Sequence, residues 1–352
     1  MPIFSHCDYH GHEQVVFCTD KSSGLRAIIA IHDTTLGPAL GGCRMWAYPT
    51  DADALKDVLR LSRGMTYKSA ISNLQLGGGK SVIIGDPRAD KSIELLHAMG
   101  DFVESLGGHY ITAADSGTDV EDISTIAQRT GHIVGVQGIS IRGGDPSPIT
   151  AYGVFISLKA SVQYRLNRTD LGGLKVAIQG LGKVGFALAT HLAEEGAELI
   201  VTDIFPDNVD RAVNELGATA VAGDAIYKQN VDVFSPCALG SIINNHSISQ
   251  LRASIIVGAA NNQLAEPQHG EILRIRDVLY APDYVVNAGG IIDAFYQRNG
   301  GTEEQLKAHV EQIQETLLEI YQRSEQEHRP TNEVADLIAE ERLQIRNSID
   351  RK

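Results

Sequence analysis

Apolar positions along this chain follow two rhythms, one of period two and one near 3.6, and their order marks out the elements. Residues 15–17 are a short apolar run, 20–24 (Asp-Lys-Ser-Ser-Gly) form a turn, and 25–32 (LRAIIAIH) form a second apolar run of strand length. Together they predict a hairpin opening a sheet. Residues 36–42 read as a glycine-rich loop. In 51–62 Leu55, Val58, Leu59 and Ser62 recur at helical spacing, with Asp51 in capping position and room to continue to Lys68. Residues 82–84 are a strand ending in the turn 85–87. Residues 92–106 form an amphipathic helix with Leu95, Leu96, Met99, Phe102, Val103 and Leu106 on one side. A strand at 109–112 runs into 113–118, and 120–129 are helical.

Glycines 138, 143 and 144 with prolines 146 and 148 make 138–148 the natural linker between domains. Beyond it, helix 151–163 leads into regular alternation. Strands at 176–179, 198–202, 219–221, 231–234, 254–258 and 278–280 are interleaved with helices, two of them starting at Val184 and Asp207. This is the pattern of a doubly wound parallel sheet. A long amphipathic helix covers 303–321, and a last helix starts near Pro330. The expected architecture is therefore α/β with two domains. The first domain spans 1–137, its sheet opened by that hairpin, and the second, a Rossmann domain, spans 145–330, followed by a last helix over 331–352.

Composition narrows the partners. A chain of 352 residues exceeds one ordinary core, and its net charge of −14 argues against nucleic acid or an anionic membrane as partner. No apolar run approaches the ~20 residues of a membrane span, and the N-terminus lacks a signal-peptide layout, so a cytoplasmic location is expected. Cys7, Cys18, Cys43 and Cys237 match no disulfide framework and no zinc spacing. Cys7 lies near His6, His10 and His12, but this spacing gives no tetrahedral template, and no metal is expected.

Strand 176–179 leads into Gly180-Leu181-Gly182-Lys183-Val184-Gly185, a full G-x-G-x-x-G at a strand-to-helix turn. The first glycine permits the turn, the second lets a pyrophosphate approach, and the third lets helix and strand pack closely. Asp203, 23 residues after Gly180, ends the next strand. An acid there accepts hydrogen bonds from both ribose hydroxyls and repels a 2′-phosphate, which points to NAD; the alternative is an ordinary helix cap.

Chemistry must then come from the first domain. Lys68 and Lys80 stand twelve residues apart, and Lys80 follows three glycines that leave the backbone open to close approach. Each lysine is either a cation for an anionic ligand or a surface charge, and a desolvated one could act as a base. Asp115 is either a proton carrier or the cap of helix 120–129. Two amines and a carboxylate suit a small amino or keto acid.

Several segments together resemble one family. They are 30–42 (AIHDTTLGPALGG), 64–68 (GMTYK), 77–80 (GGGK), 145–153 (DPSPITAYG), 235–240 (SPCALG) and 281–290 (APDYVVNAGG). They are similar to the glutamate/leucine/phenylalanine/valine dehydrogenases, most closely the leucine/phenylalanine/valine branch, from about Gly11 to the C-terminal helices. The resemblance implies reversible NAD-dependent oxidative deamination of an amino acid to a 2-oxo acid and ammonia. It also implies a mixed-sheet first domain, 1–137, that binds substrate and builds a homo-oligomer, a dimer or octamer, with helix 331–352 packing back on it, and a second domain, 145–330, that binds NAD. By motif, Lys68 pairs with the substrate carboxylate, Lys80 activates water against the imino intermediate, and Asp115 transfers the proton. Leu40, Gly41, Gly42 and Met65 line the pocket, with Ala113, Ile291 and Ala294 in its wall, and Asn287 helps hold the carboxylate. Thr150, Cys237, Ala238, Asn261 and Asn262 would border the cofactor.

The same resemblance favours a branched-chain substrate, since Leu40, Ala113 and 145–148 look like leucine-type members. Phenylalanine or tryptophan is the alternative. Ala294 stands where leucine-type members carry a branched residue, and the fingerprint and Asn261-Asn262 look more like phenylalanine-type members. Two further classes compete: a catalytically silent NAD-binding protein, which Lys68, Lys80 and Asp115 together argue against, and a scaffold, which has only the oligomer-forming surface in its favour.

Overall fold

The computed structural model describes residues 3–136 and 145–350. Of the expected linker, residues 138–144 lie outside the described residues. The chain divides into two compact units, Met1–Asp145 with Ala294–Gly301 and Ala339–Lys352, and Pro146–Asp293 with Thr302–Ile338.

The first unit contains β1 (Gln14–Asp20), β2 (Leu25–Asp33), β3 (Ala39–Trp46), α1 (Asp51–Ile71), β4 (Gly77–Ile84), α2 (Ile93–Ser105), β5 (Tyr110–Ala114) and α3 (Val120–Ile126). The sheet order is β1-β2-β4-β3-β5. β1 and β2 form an antiparallel hairpin, β4 pairs antiparallel with β2, and β3 and β5 run parallel beside it, so the sheet is mixed. β2 is apolar at nearly every position because both of its faces are covered. Ile28 and Ala30 pack with Ala54, Val58 and Leu59 of α1, while Ala27, Ile29 and Ile31 pack toward Leu95, Leu96 and Met99 of α2.

Two local expectations change here. Residues 39–42 are strand rather than loop, and the glycine run 77–79 is the start of β4. The space beside these glycines is filled by the protein itself. A Cβ at Gly78 would stand 2.1 Å from the Thr66 nitrogen of α1, and one at Gly41 would stand 1.7 Å from the Gly79 carbonyl oxygen. The glycines let a helix and two strands close together.

α1 is capped by Thr50, whose hydroxyl accepts from Asp53 N at 3.2 Å, one position before the expected Asp51. Its far end is held by Arg342, which donates to the carbonyls of Ala70 (3.3 Å) and Ile71 (2.6 Å). Glu340 accepts from the Tyr67 hydroxyl at 2.6 Å. These bonds explain why the last helix joins the first unit at Ala339 rather than at 331. Residues 294–301 also join it, with Gln297, Arg298 and Asn299 sharing a cavity with residues 131–136.

The second unit begins with α4 (Ser147–Leu166). It continues with β6 (Lys175–Gln179), α5 (Lys183–Glu194), β7 (Glu198–Thr202), α6 (Pro206–Leu216), β8 (Thr219–Ala220) and β9 (Val233–Pro236). It then runs through α7 (Asn245–Gln250), β10 (Ile255–Ile256), α8 (Gln268–Ile275), β11 (Leu279–Tyr280), α9 (Asp283–Val286) and α10 (Gly289–Asn299). Last come α11 (Glu303–Glu311), α12 (Ile313–Glu327) and α13 (Thr331–Asp350). The units divide within α10 and α13. All six strands are parallel in the order β11-β10-β9-β6-β7-β8. That order reverses between β6 and β9, so the loops leaving those two strands part and open a crevice. The helix expected over 303–321 is two helices, because Gln312 N bonds back three residues to His309 O and tightens the turn. Among the described residues no helix is long and apolar enough to cross a membrane.

Candidate active site

Strand alternation and register bring Lys80, Gly42 and Asp115 together. On β4, Lys80 shares the α1 side with Gly78 and Val82. Gly42 of β3 lies level with Lys80, since Cys43 pairs with Ser81, and on its other side it pairs with Ala113 of β5. Asp115 immediately follows β5. The amine therefore reaches the carboxylate across Gly42. Lys80 Nζ donates to Asp115 Oδ2, with the lysine side chain only 5% exposed. A Cβ at Gly42 would lie 2.8 Å from Asp115 Cβ, so that path exists because residue 42 has no side chain.

The loop after β5 is fixed to β3. Thr118 donates to Cys43 O at 2.7 Å and accepts from Asp115 N at 3.0 Å, and Met45 N donates to Ser116 O at 3.0 Å. Asp115 is not a helix cap: Asp119 caps α3, in a capping box with Asp122. Burial alone would push the Asp115 carboxyl upward, but Lys80 and Arg44 outweigh it and hold the group below the usual carboxylate range. Arg44 went unremarked in the sequence. Its Nε donates to Asp115 Oδ1 at 2.9 Å. The available signal was a cation two positions after Gly42 in an otherwise apolar strand.

Leu40 and Gly41 are buried, Ala113 is half-buried, and Met65 and Lys68 lie three residues apart on α1, both half-buried. Ala294 is half-buried in the first unit, whereas Ile291 is buried in the second. At the N-terminus His6, Cys7 and Asp8 hold donor atoms within 4.8 Å of one another, while His12 turns inward to Leu59 O (3.0 Å) and Ser62 (3.1 Å).

In the second unit the fingerprint glycines divide their tasks. Gly180 has φ +97°, and a Cβ there would stand 2.7 Å from Ala238 Cβ. Gly185 packs on the turn, where a Cβ would stand 2.1 Å from the Gly180 carbonyl oxygen. At Gly182 a Cβ would meet nothing within 4 Å. Gly182 is also the N-cap of α5 and supplies no side-chain cap, so the helix N-terminus beginning at Lys183 and Val184 presents bare backbone to open space. Leu181 is buried and donates N–H to Asp203 Oδ2 at 2.6 Å, while Phe205 N donates to Oδ1 at 2.8 Å. Asp203 thus ends β7 oriented by the glycine turn itself.

The loop after β9, the other strand at the order reversal, carries Cys237 and Ala238. Cys237 N donates to Gln179 O at 2.7 Å, and burial pushes its thiol up. Asn261 and Asn262 follow β10. Asn287 is buried and donates to Asn261 Oδ1 at 2.7 Å and to Ala259 O at 3.0 Å. Thr150 lies in the first turn of α4, donating to Pro146 O at 2.9 Å, and the backbone of Gly289 and Gly290 packs beside it. The residues fit a dinucleotide: an uncapped helix N-terminus, a glycine facing open space, and a carboxylate at the end of the next strand.

A Rossmann unit with an open glycine turn, and a unit that buries an amine against a carboxylate, are parts that a dinucleotide-dependent oxidoreductase needs. A family profile described as Glu/Leu/Phe/Val dehydrogenase, dimerisation domain, matches residues 12–132, and one described as Glutamate/Leucine/Phenylalanine/Valine dehydrogenase matches residues 206–345. The leucine dehydrogenase of Geobacillus stearothermophilus is 49% identical over 98% of this chain and 94% of its own length. The phenylalanine dehydrogenase of Bacillus thermotolerans is 48% identical over 95% of this chain and 89% of its own. The crystal structure of L-tryptophan dehydrogenase from Nostoc punctiforme matches with a TM-score of 0.86 at 46% identity, covering 96% of this chain and 97% of that one. The chain belongs to the glutamate/leucine/phenylalanine/valine dehydrogenase family, and it is an amino-acid dehydrogenase.

Proposed function

We propose that the protein deaminates an apolar L-amino acid, with leucine, valine and isoleucine preferred, to the 2-oxo acid and ammonia, reversibly and with NAD. The observation that carries this reading is the Lys80–Asp115 pair meeting across Gly42. Along that hydrogen bond a proton passes between amine and carboxylate without a diffusing base. Asp115 takes the proton from the substrate amine. Lys80 activates the water that attacks the imino carbon, and ammonia leaves. Lys68 holds the substrate carboxylate, with Asn287 assisting. Gly180–Gly185 and Asp203 hold the dinucleotide, bordered by Thr150, Cys237, Ala238, Asn261 and Asn262. When bound, it accepts the hydride from the substrate Cα. Asp203 favours NAD over NADP, because a 2′-phosphate would meet a carboxylate.

Leu40 and Ala113 are apolar, which suits an uncharged side chain. We assign Ile291 and Ala294 to substrate recognition as well. We assign the enzyme to the cytoplasm, where its four free thiols would persist, as a homo-oligomer assembled through the first unit. Steady-state assays with leucine, valine, phenylalanine and tryptophan, each with NAD and NADP, test the reading. An aromatic kcat/KM tenfold above that for leucine would overturn the branched-chain preference. Lys80→Ala should lower kcat by about 100-fold or more, whereas Lys68→Ala should mainly raise KM. Unchanged turnover in Lys80→Ala would refute the mechanism.

A further inference from the structure

The catalytic pair proposed above has a second cation on its outer side, and that cation has a second anion. Arg44 extends from β3 on the same face as Gly42, two residues further along. Its Nε donates to Asp115 Oδ1 at 2.9 Å, and its Nη1 donates to Asp57 Oδ2 at 2.8 Å. Asp57 belongs to α1, and the Tyr48 hydroxyl donates to the same Oδ2 at 2.6 Å. Each Asp115 oxygen is thereby committed, one to Lys80 and one to Arg44. Arg44, Tyr48, Asp57 and Ser116 also line a cavity of about 430 Å³, so the side of the guanidinium away from Lys80 is open to water.

We propose that Arg44 is a positioning residue whose charge is divided between two carboxylates: it fixes Asp115 opposite Lys80, while Asp57, anchored by Tyr48, limits how strongly it holds the Asp115 proton site. The assignment rests on the dehydrogenase reading above. A guanidinium given wholly to Asp115 would keep that carboxylate ionised and make it a poor proton donor on the return step. With no guanidinium, Asp115 would rest on Lys80 alone and could turn. Sharing Arg44 with Asp57 gives an intermediate hold, and places that setting on the same helix that carries Lys68.

Charged and titratable groups interact with Asp115 from several elements. Lys80 faces it from β4, Arg44 and the Cys43 thiol from β3, and the Tyr110 hydroxyl from β5, with Asp57 acting from α1 through Arg44. Burial pushes the Cys43 thiol to about 11 and the Tyr110 hydroxyl higher, so neither changes charge at neutral pH. Arg44 itself is raised above its ordinary value: burial opposes this, and Asp115 and Asp57 together outweigh the burial.

The test is the pH dependence of kcat and kcat/KM for the wild type, Arg44→Gln, Arg44→Lys, Asp57→Asn and Tyr48→Phe, with thermal melts to confirm folding. Arg44→Gln should lower kcat roughly 10- to 100-fold with the amino-acid KM within about threefold, and should move the acid limb up by about one pH unit. Arg44→Lys should restore part of that shift. Asp57→Asn should move the acid limb the other way, to lower pH, and Tyr48→Phe should do so more weakly. If both charge variants leave the acid limb at its wild-type position, or move it in the same direction, the proposal is overturned. If Arg44→Gln fails to fold, the downward shift of Asp57→Asn decides alone. A wild type without amino-acid turnover would instead overturn the functional reading.

Discussion

A methyl group added at position 42 would stand 2.7 Å from the Ala114 carbonyl oxygen and 3.0 Å from Asp115 Oδ2. The loop carrying Asp115 cannot retreat freely, because Thr118 and Ser116 tie it to β3. Gly42→Ala should therefore shift Asp115 relative to Lys80 by a fraction of an ångström or more. A misplacement on the order of 1 Å lowers catalysis by about 100-fold, so kcat/KM should fall by that order while the protein still folds. Wild-type kinetics in a folded Gly42→Ala would show that the pair does not need this path. The glycines at 41–42 and 77–79 stood out in the sequence as places where something approaches the backbone. Thr66 is 12 residues from Gly78 and Tyr110 is 31 residues from Gly79, each on another element, so composition could not show that the approach is made by the protein. Arg44 was harder still, since its two carboxylate partners are 13 and 71 residues distant.

At the scale of elements, the turn into α5 shows how one motif separates folding from binding. Gly185→Ala would place a Cβ 2.1 Å from the Gly180 carbonyl oxygen, backbone that cannot swing aside, whereas Gly182→Ala meets nothing. The first should lower stability by about 1–3 kcal/mol, read from urea unfolding, as overpacking does. The second should fold normally and raise the KM for NAD, because the added methyl stands where the pyrophosphate would lie. Equal unfolding midpoints for the two variants would contradict this division. The fingerprint was legible because strand, turn and helix are contiguous, and its signal needs no distant partner. Helix 92–106 was legible for a similar reason: Ser92 caps it locally, accepting from Leu95 N, and its apolar stripe faces one layer. The long helix at 303–321 was misread because an apolar stripe passes through Gln312 unbroken, while the backbone there tightens. The short helices α7 and α8 were missed because six and eight residues carry too little periodicity to register.

Across the whole molecule, the order of elements was readable from the pattern, whereas the return of the last helix came from the family resemblance and its boundary from neither. Alternating strands and helices specify a parallel sheet, but only the contacts of Glu340 and Arg342 with α1 show where the last helix changes unit. A global property also follows from groups whose role no spacing revealed. His12 and His32 stack edge to face at 4.8 Å beneath α1, with His32 Nδ1 2.8 Å from the Thr66 hydroxyl and His12 bonded to Leu59 O and Ser62. Burial lowers both, His32 to about 3; His10 and Arg63 oppose charge on either ring, and His12 also opposes it on His32. Their unfolded-state value is 6.5, so below it the unfolded chain binds protons that the folded chain does not, and for His32 this window reaches down to about 3. Stability is then fully present above that window and is lost as pH falls through it. Each histidine contributes a slope of up to about 1.4 kcal/mol per pH unit. Carboxylates held below their usual range, Asp115 among them, add to the loss only at lower pH, which leaves pH 5–6.5 to the histidines. Urea unfolding at fixed protein concentration should show stability rising from pH 5 to 7 in the wild type. In a His12→Gln/His32→Gln double variant that rise should flatten by the equivalent of one to two protons, whatever its absolute stability. An identical slope in both would mean that this pair is not what makes the fold sensitive to acid.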